Sequence, residues 1–313
     1  MRVDLPNTTV AAISKELVRL REEGGAVALG RVLTLIIVTS PSEAESAIAA
    51  ANAASREHPM RVLVLIEPAE ASGAAARVDA EIRVGGDAGA SEVIVLRAHG
   101  DAASDPESLV TGLLLPDAPI VAWWSSAAPE CVARSPIGRI ATRRISDVKS
   151  TGGTGETLAD LAEHFTRGDT DLAWTRITLW RSQLAAVLDQ PPYEPVERIE
   201  VDGAADSASA VLLASWLGLQ LEAPVERHSR YSLQEGYGIA SVTLHRASGA
   251  IELTRVTDAA AELRQPGQPV HEVALPLRTT RECLAEELRR LDPDELYERV
   301  LTLGLGPTRT VDS

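Results

Sequence analysis

The strongest constraint on the fold is a pair of nearly unbroken apolar segments in the first quarter of the chain. Residues 32–38 (Val-Leu-Thr-Leu-Ile-Ile-Val) and 61–66 (Arg-Val-Leu-Val-Leu-Ile) are rich in β-branched side chains. Strands of this kind are buried on both faces, as in a parallel sheet covered by helices. Between them, Ser42 and Glu45 have the spacing of a capping box, which predicts a helix through about residue 55. The order strand, helix, strand predicts an α/β sheet.

The neighbouring segments extend this sheet. Apolar residues recur at helical spacing over 10–20, and residues 77–84 alternate charged and apolar side chains. This alternation predicts a strand with its charges in water and its apolar side chains in the core. The core-facing positions are Val78, Ala80, Ile82 and Val84. Residues 92–97 and 119–124 are predicted as further buried strands. We therefore expect an N-terminal α/β domain with helices packed on its sheet.

A glycine-rich stretch at residues 149–156 separates the two halves of the chain. Its glycines, flanked by Ser and Thr, are costly to order, so this stretch is the best candidate for a linker. The second half begins with helical patterns between residues 171 and 221 and continues with alternating strands near residues 238–246, 250–257 and 270–275. We expect an N-terminal α/β domain over 1–150, and a C-terminal α+β domain with a mostly antiparallel sheet over 151–313.

The charge of the chain limits its partners. The formal net charge is -15 at pH 7, which repels nucleic-acid phosphates and anionic membranes. The N-terminus has no apolar segment of a secretory signal, and no apolar run approaches the length of a membrane span. We therefore expect a cytoplasmic protein. The two cysteines, Cys131 and Cys283, are expected as free thiols, with a redox switch as the alternative.

The glycine-rich turn Gly85–Ser91 is the most prominent local motif (Gly-Gly-Asp-Ala-Gly-Ala-Ser). A phosphate cradle needs glycines directly before a helix, but here a strand pattern follows. Asp87 would also repel a phosphate group. The preferred interpretation is a loop that joins two strands, and the alternatives are a loop that contacts a partner and a nucleotide site.

The sequence offers no catalytic or metal-binding motif. None of the six histidines lies within four residues of another histidine or of a cysteine, so no metal site is predicted. The strand-turn-helix motif of a serine nucleophile is absent as well. We predict no catalytic residue and no cofactor, although an enzyme whose active site is assembled from scattered residues stays an alternative.

Two features could contact a partner protein. Trp123 and Trp124 end a predicted strand, where adjacent side chains point to opposite faces. Either both are buried, or one is exposed as an interface anchor. A basic stretch follows in this acidic chain, at Arg134, Arg139, Arg143, Arg144 and Lys149. Its default interpretation is a solvated helix face, and the alternatives are a docking surface for an acidic partner and a sugar-phosphate site.

Several strings, in this order, resemble one known family. They are residues 21–27 (REEGGAV), 29–37 (LGRVLTLII), 55–62 (SREHPMRV), 82–93 (IRVGGDAGASEV), 114–124 (LLPDAPIVAWW), 136–139 (PIGR), 143–147 (RRISD) and 173–181 (AWTRITLWR). The resemblance is to the glucose-6-phosphate dehydrogenase assembly proteins, OpcA, of actinobacteria. It is dense over about residues 1–150 and looser afterwards.

The resemblance implies a protein that promotes the active oligomer of glucose-6-phosphate dehydrogenase and supports the production of NADPH. The family carries no known catalytic residues, so none is transferred to this chain. From composition and position we predict that the partner contacts Trp124, Arg139, Arg143 and Arg144, together with Gly85, Gly86, Asp87 and Gly89. The alternatives to this non-catalytic function are a sugar-phosphate sensor and an enzyme with a non-motif active site.

Overall fold

The computed structural model describes residues 1–23, 30–67, 75–85, 92–148, 155–231, 237–305 and 309–312. Gly86, Asp87 and Gly89, and residues 149–154 of the predicted linker, lie outside this set. The chain divides into two compact units. The first contains Met1–Ser150, Thr166–Thr170 and Thr280–Pro293; the second contains Thr151–Phe165, Asp171–Thr279 and Asp294–Ser313. Whether residues 1–150 and 151–313 fold as separate domains stays a prediction.

The α-helices of the described residues are named in chain order. They are α1 (Val10–Glu23), α2 (Ala44–Ala54), α3 (Pro106–Thr111), α4 (Pro136–Ile140), α5 (Gly155–Glu163), α6 (Leu172–Arg176), α7 (Thr178–Leu188), α8 (Ala208–Leu221), α9 (Thr280–Arg289) and α10 (Glu295–Leu303). None of them is both long enough and apolar enough to cross a lipid bilayer.

A mostly parallel sheet forms the centre of the first unit. Its strands are β1 (Arg2–Leu5), β2 (Leu33–Thr39), β3 (Met60–Ile66), β4 (Arg77–Arg83), β5 (Glu92–His99), β6 (Ile120–Trp124), β7 (Arg143–Ser146) and β8 (Asp169–Asp171). Their spatial order is β1-β4-β5-β3-β2-β6-β7-β8. Strands β5, β3, β2, β6 and β7 are parallel, whereas β4 pairs antiparallel with both β1 and β5. In chain order the parallel strands are arranged 3-2-1-4-5, which is the arrangement of doubly wound folds.

The buried strands form as their sequences predict. Every residue of β2 is buried, because helices cover the sheet. Helix α1 buries Ile13, Leu17 and Leu20 in the core cluster of this sheet, whereas α2 packs against β2, β3 and α9. The predicted capping box is wrong, although the helix is present. The N-cap residue of α2 is Glu43, without a side-chain hydrogen bond, and Glu45 pairs with an arginine of β4 instead.

The alternation predicts that all charged side chains of β4 face water. In the structure, two of them are buried. Glu81 is 1% exposed and Arg83 is 8% exposed. They can be buried because they neutralise each other, since Arg83 Nε donates to Glu81 Oε1 at 2.5 Å. Arg2 adds a second hydrogen bond to the Glu81 carboxylate at 2.8 Å. Paired charges of this kind tolerate burial far better than isolated ones.

A mostly antiparallel sheet forms the centre of the second unit. Its strands are β9 (Arg198–Ala204), β10 (Val225–Tyr231), β11 (Ile239–His245), β12 (Ile251–Arg255), β13 (Ala260–Arg264), β14 (His271–Ala274) and β15 (Arg309–Asp312). Their order is β14-β13-β12-β11-β9-β10-β15, with β10 parallel to both β9 and β15. Helix α8 packs on β9 and β10. The predicted fold class, an α/β part followed by an α+β part, is confirmed.

Candidate functional site

A cavity of about 570 Å³ lies at the carboxyl ends of the parallel strands in the first unit. Its walls include Val38 of β2, Leu65 of β3, Leu96 of β5 and Trp124 of β6. Helices α3 and α4 close it from the side with Leu109, Ile137 and neighbouring residues. In open α/β sheets, ligands bind outside the carboxyl ends of the strands, and this volume suits a small molecule or a partner's side chain.

One carboxyl group, that of Glu67, lies among the residues that line the cavity. Glu67 directly follows β3, and its backbone N–H donates to Thr39 O at 2.9 Å, which joins the ends of β3 and β2. Desolvation by its surroundings raises the pKa of Glu67. The sequence analysis did not select this residue. Glu67 could have been selected by its position, because it is a charged residue immediately after a predicted buried strand.

The turn from β2 to α2 differs from a dinucleotide-binding turn. A pyrophosphate site in this strand order needs glycines after the first strand and a free helix N-terminus. Here residues 40–43 are Ser-Pro-Ser-Glu, and Glu43 and Glu45 stand at the start of α2. The turn has no glycine, and Glu43 at the N-cap position of α2 repels a phosphate group, so the turn is unsuited to a dinucleotide.

Trp124 is buried, and it is not an exposed anchor. Trp123 is 1% exposed and Trp124 is 3% exposed, so the alternative with both rings buried is confirmed. Trp124 belongs to the core cluster that also contains α1, and it lines the cavity. Its predicted role as a surface contact is therefore corrected. Only a group that enters the cavity could contact it.

Arg139 is exposed at the surface beside this cavity. Its side chain is 58% exposed, and its NH2 group donates to Glu107 Oε2 at 3.0 Å. This ion pair joins α4 to α3, the two helices that wall the cavity. Arg139 thus stays a predicted partner contact with a side chain that a partner can reach.

Arg143 and Arg144 are buried on strand β7, which corrects both the predicted helix face and their predicted place on a contact surface. Arg143 is 3% exposed and donates to Glu287 Oε2 at 2.5 Å and to Asp292 O at 2.8 Å. Arg144 is 7% exposed and forms an ion pair with Asp169. The physical reason is that β7 lies inside the sheet, between β6 and β8, where a charged side chain needs a partner within the chain.

Of the predicted glycine loop, only Gly85 is among the described residues. Its φ is +71°, in the left-handed region that favours glycine, so it ends the extended segment of β4 with a turn. A Cβ atom at Gly85 would meet no atom within 4 Å. The conformation, and not a close neighbour, therefore accounts for glycine at this position.

One group of side chains in the second unit has the composition of a cation site. Glu200, Glu226 and His228 bring one ligand atom each within 4.8 Å of one another. However, Arg198 pairs with both carboxylates, at 3.2 Å from Glu226. The guanidinium already supplies the positive charge that a metal ion would provide, so the geometry favours an ion-pair network.

Comparison with known proteins identifies the family of the chain. The model of the N-terminal domain of a glucose-6-phosphate dehydrogenase subunit, OpcA_G6PD_assem, matches residues 51–163. The model of the corresponding C-terminal domain, OpcA_G6PD_C, matches residues 167–301. No curated protein shows significant sequence similarity to the chain.

Solved structures show weak similarity over most of the chain. Glucose-6-phosphate 1-dehydrogenase from Mycobacterium avium is 12% identical, with a TM-score of 0.44 and coverage of 91% of this chain and 94% of that chain. An oxidoreductase from Sinorhizobium meliloti is 10% identical, with a TM-score of 0.42 and coverage of 87% and 86%. Similarity at this level is too low to carry a conclusion about function. The two family models together match most of the chain, which therefore belongs to the OpcA family of glucose-6-phosphate dehydrogenase assembly proteins.

Proposed function

We propose that the chain is a non-catalytic assembly factor that binds glucose-6-phosphate dehydrogenase in the cytoplasm and favours its active oligomer. The observation that carries this proposal is the pair of family matches, over residues 51–163 and 167–301, to domains named for that dehydrogenase. The glycine-free turn that ends at Glu43 supports the non-catalytic part, because it is unsuited to the dinucleotide that a dehydrogenase needs.

Activation by binding has a simple energetic requirement. A protein shifts the equilibrium of the dehydrogenase only if it binds the active form more tightly than the inactive form. A tenfold shift requires about 1.4 kcal/mol of differential affinity. A single interface anchor worth ~2 kcal/mol or more could supply this difference.

The properties of the cavity favour this function over the two alternatives. A sugar phosphate is polar and anionic, whereas the cavity is lined mainly by apolar residues and by the carboxyl group of Glu67. An active site needs converging titratable groups, but among the described residues that line the cavity Glu67 is the only Asp, Glu or His. An apolar cavity beside the exposed Arg139 is suited to bind an apolar side chain of a partner protein.

The proposal is tested with the cognate dehydrogenase. Light scattering and activity are measured in parallel, with and without this protein, at micromolar concentrations of both and with substrate present. We expect a larger complex together with raised dehydrogenase activity. If neither the mass nor the activity changes, the assembly function is wrong.

Charge reversal of Arg139 is expected to weaken the complex. Arg139→Glu places a second carboxylate beside Glu107 and removes the exposed cation at the cavity, so we expect affinity for the dehydrogenase to fall at least tenfold. The matched control is Arg289→Glu, since Arg289 is 57% exposed and forms an ion pair with Glu57. Both pairs contribute little to stability. Equal affinities of the two variants, measured by biolayer interferometry, would remove Arg139 from the interface.

A further inference from the structure

Three arginines converge on one buried carboxylate in the first unit. Glu92 begins β5, and its side chain is 3% exposed. Arg21 donates to both of its oxygens, at 2.6 and 2.8 Å, and Arg31 lies 2.7 Å from Oε1. Arg61 donates to Oε2 at 3.1 and 3.0 Å. We call these four residues the Glu92 cluster.

The Glu92 carboxylate of this cluster can accept few further hydrogen bonds. Oε1 contacts Arg21 and Arg31, and Oε2 contacts Arg21 and Arg61. A carboxylate offers about four lone-pair positions, so these contacts use it fully. Arg61 directs its remaining NH1 group to Leu113 O at 2.6 Å. Arg31, by contrast, has a buried Nε atom with no hydrogen-bond partner among the described residues.

The Glu92 cluster therefore carries more positive than negative charge. Within the described part of the chain, no second carboxylate forms an ion pair with its three arginines. Burial, only partly offset by Glu92, lowers the pKa of Arg31 and of Arg61, which indicates that their charges are incompletely compensated.

In a second arginine cluster of the same unit, the numbers of positive and negative charges are equal. Arg2, Arg83 and Arg97 all contact Glu81. Here two further carboxylates take part, because Asp4 pairs with Arg2 and Glu45 pairs with Arg83. Three cations meet three anions there, whereas three cations meet one anion in the Glu92 cluster.

We propose that the Glu92 cluster binds an oxyanion, a phosphate group or a carboxylate, through Arg31 and Arg21. The planar guanidinium donates two parallel hydrogen bonds to such groups, and it does so most strongly where water is partly excluded. The site is accessible, because the side chain of Arg21 is 37% exposed and that of Arg31 is 19% exposed. The partly exposed guanidinium groups of Arg21 and Arg31 supply the donors, and the excess charge supplies the attraction.

The first measurement is thermal unfolding of the full chain in rising inorganic phosphate, against potassium chloride of equal ionic strength. A specific site raises the melting temperature with the logarithm of the anion concentration above its dissociation constant, by about 4 °C at ten times that constant. The same titration with acetate distinguishes the two sources. A larger response to phosphate indicates that the ligand of the Glu92 cluster is a phosphate-bearing small molecule. A larger response to acetate indicates that the ligand is a carboxylate of a protein. If neither anion raises the melting temperature above that in potassium chloride, the proposal is overturned.

Two variants separate this site from a purely structural cluster. In Arg31→Met, which keeps most of the side-chain bulk, we expect the anion response to vanish and the melting temperature in chloride to stay equal or rise, since an excess charge is removed. In Arg97→Met, from the balanced cluster, we expect the anion response to persist. A lower melting temperature of Arg31→Met with an intact anion response would show that Arg31 only holds Glu92 in place.

Discussion

Glu92→Gln is expected to lower the free energy of unfolding of the first unit by about 3–5 kcal/mol at pH 7. The glutamine keeps the shape of the side chain but leaves Arg21, Arg31 and Arg61 without a counter-charge. Removing one partner of a buried ion pair costs this much because the remaining charge stays desolvated. Urea denaturation measures the loss. The control is Glu107→Gln, at the exposed pair with Arg139, where we expect about 1 kcal/mol or less.

The effect of Glu92→Gln should depend on pH. Burial alone would raise the pKa of Glu92, but the hydrogen bond from Arg21 and the charges of Arg61 and Arg31 outweigh it and lower the pKa. A carboxyl group whose pKa is lowered on folding stabilises the protein above its unfolded pKa, about 4.3, and this contribution is lost as pH falls through the folded value. The difference between wild type and variant should therefore shrink below about pH 4. A difference that stays constant from pH 7 to pH 3 would show that the charge of Glu92 does not matter.

The buried strands of the first unit could be predicted because their signal is local. An apolar run such as Leu33–Thr39 specifies a strand covered on both faces wherever it lies in the fold. Strands β10 and β13 were not predicted. Their sequences, Val-Glu-Arg-His-Ser-Arg-Tyr and Ala-Ala-Glu-Leu-Arg, are polar or short, and both lie between two neighbouring strands. Backbone pairing with those strands, which leaves no local signal, accounts for them.

The places of the charged side chains could not be predicted, because their partners are distant in the sequence. Arg143 was expected at the surface, since nothing near it in sequence compensates its charge. Its partner Glu287 lies 144 residues further along the chain, in helix α9 of the same compact unit. The alternation in β4 similarly predicts two faces but not the ion pairs that allow Glu81 to be buried. Composition identified Arg139 and Arg143 as equal candidates, and only tertiary structure separates them.

Gly138→Ala is expected to destabilise the first unit by about 3 kcal/mol and to weaken binding of the dehydrogenase. A Cβ atom at Gly138 would lie 1.7 Å from Val132 O, a backbone atom that cannot rotate away. Val132 O accepts hydrogen bonds from the backbone and the hydroxyl of Ser135, the N-cap of α4. Relieving the clash therefore disrupts the start of the helix that places Ile137 in the cavity wall and Arg139 at the surface.

Gly30→Ala is the matched control for this substitution. A Cβ atom at Gly30 would meet no atom within 4 Å, and Gly30 has no positive φ, so alanine fits there. We expect its free energy of unfolding to be unchanged or to rise by about 0.5 kcal/mol, because alanine restricts the unfolded chain. Urea denaturation of both variants compares the two glycines directly. A loss of less than about 1 kcal/mol for Gly138→Ala would mean that the turn before α4 yields easily, and the position of Arg139 beside the cavity would then not depend on a rigid turn.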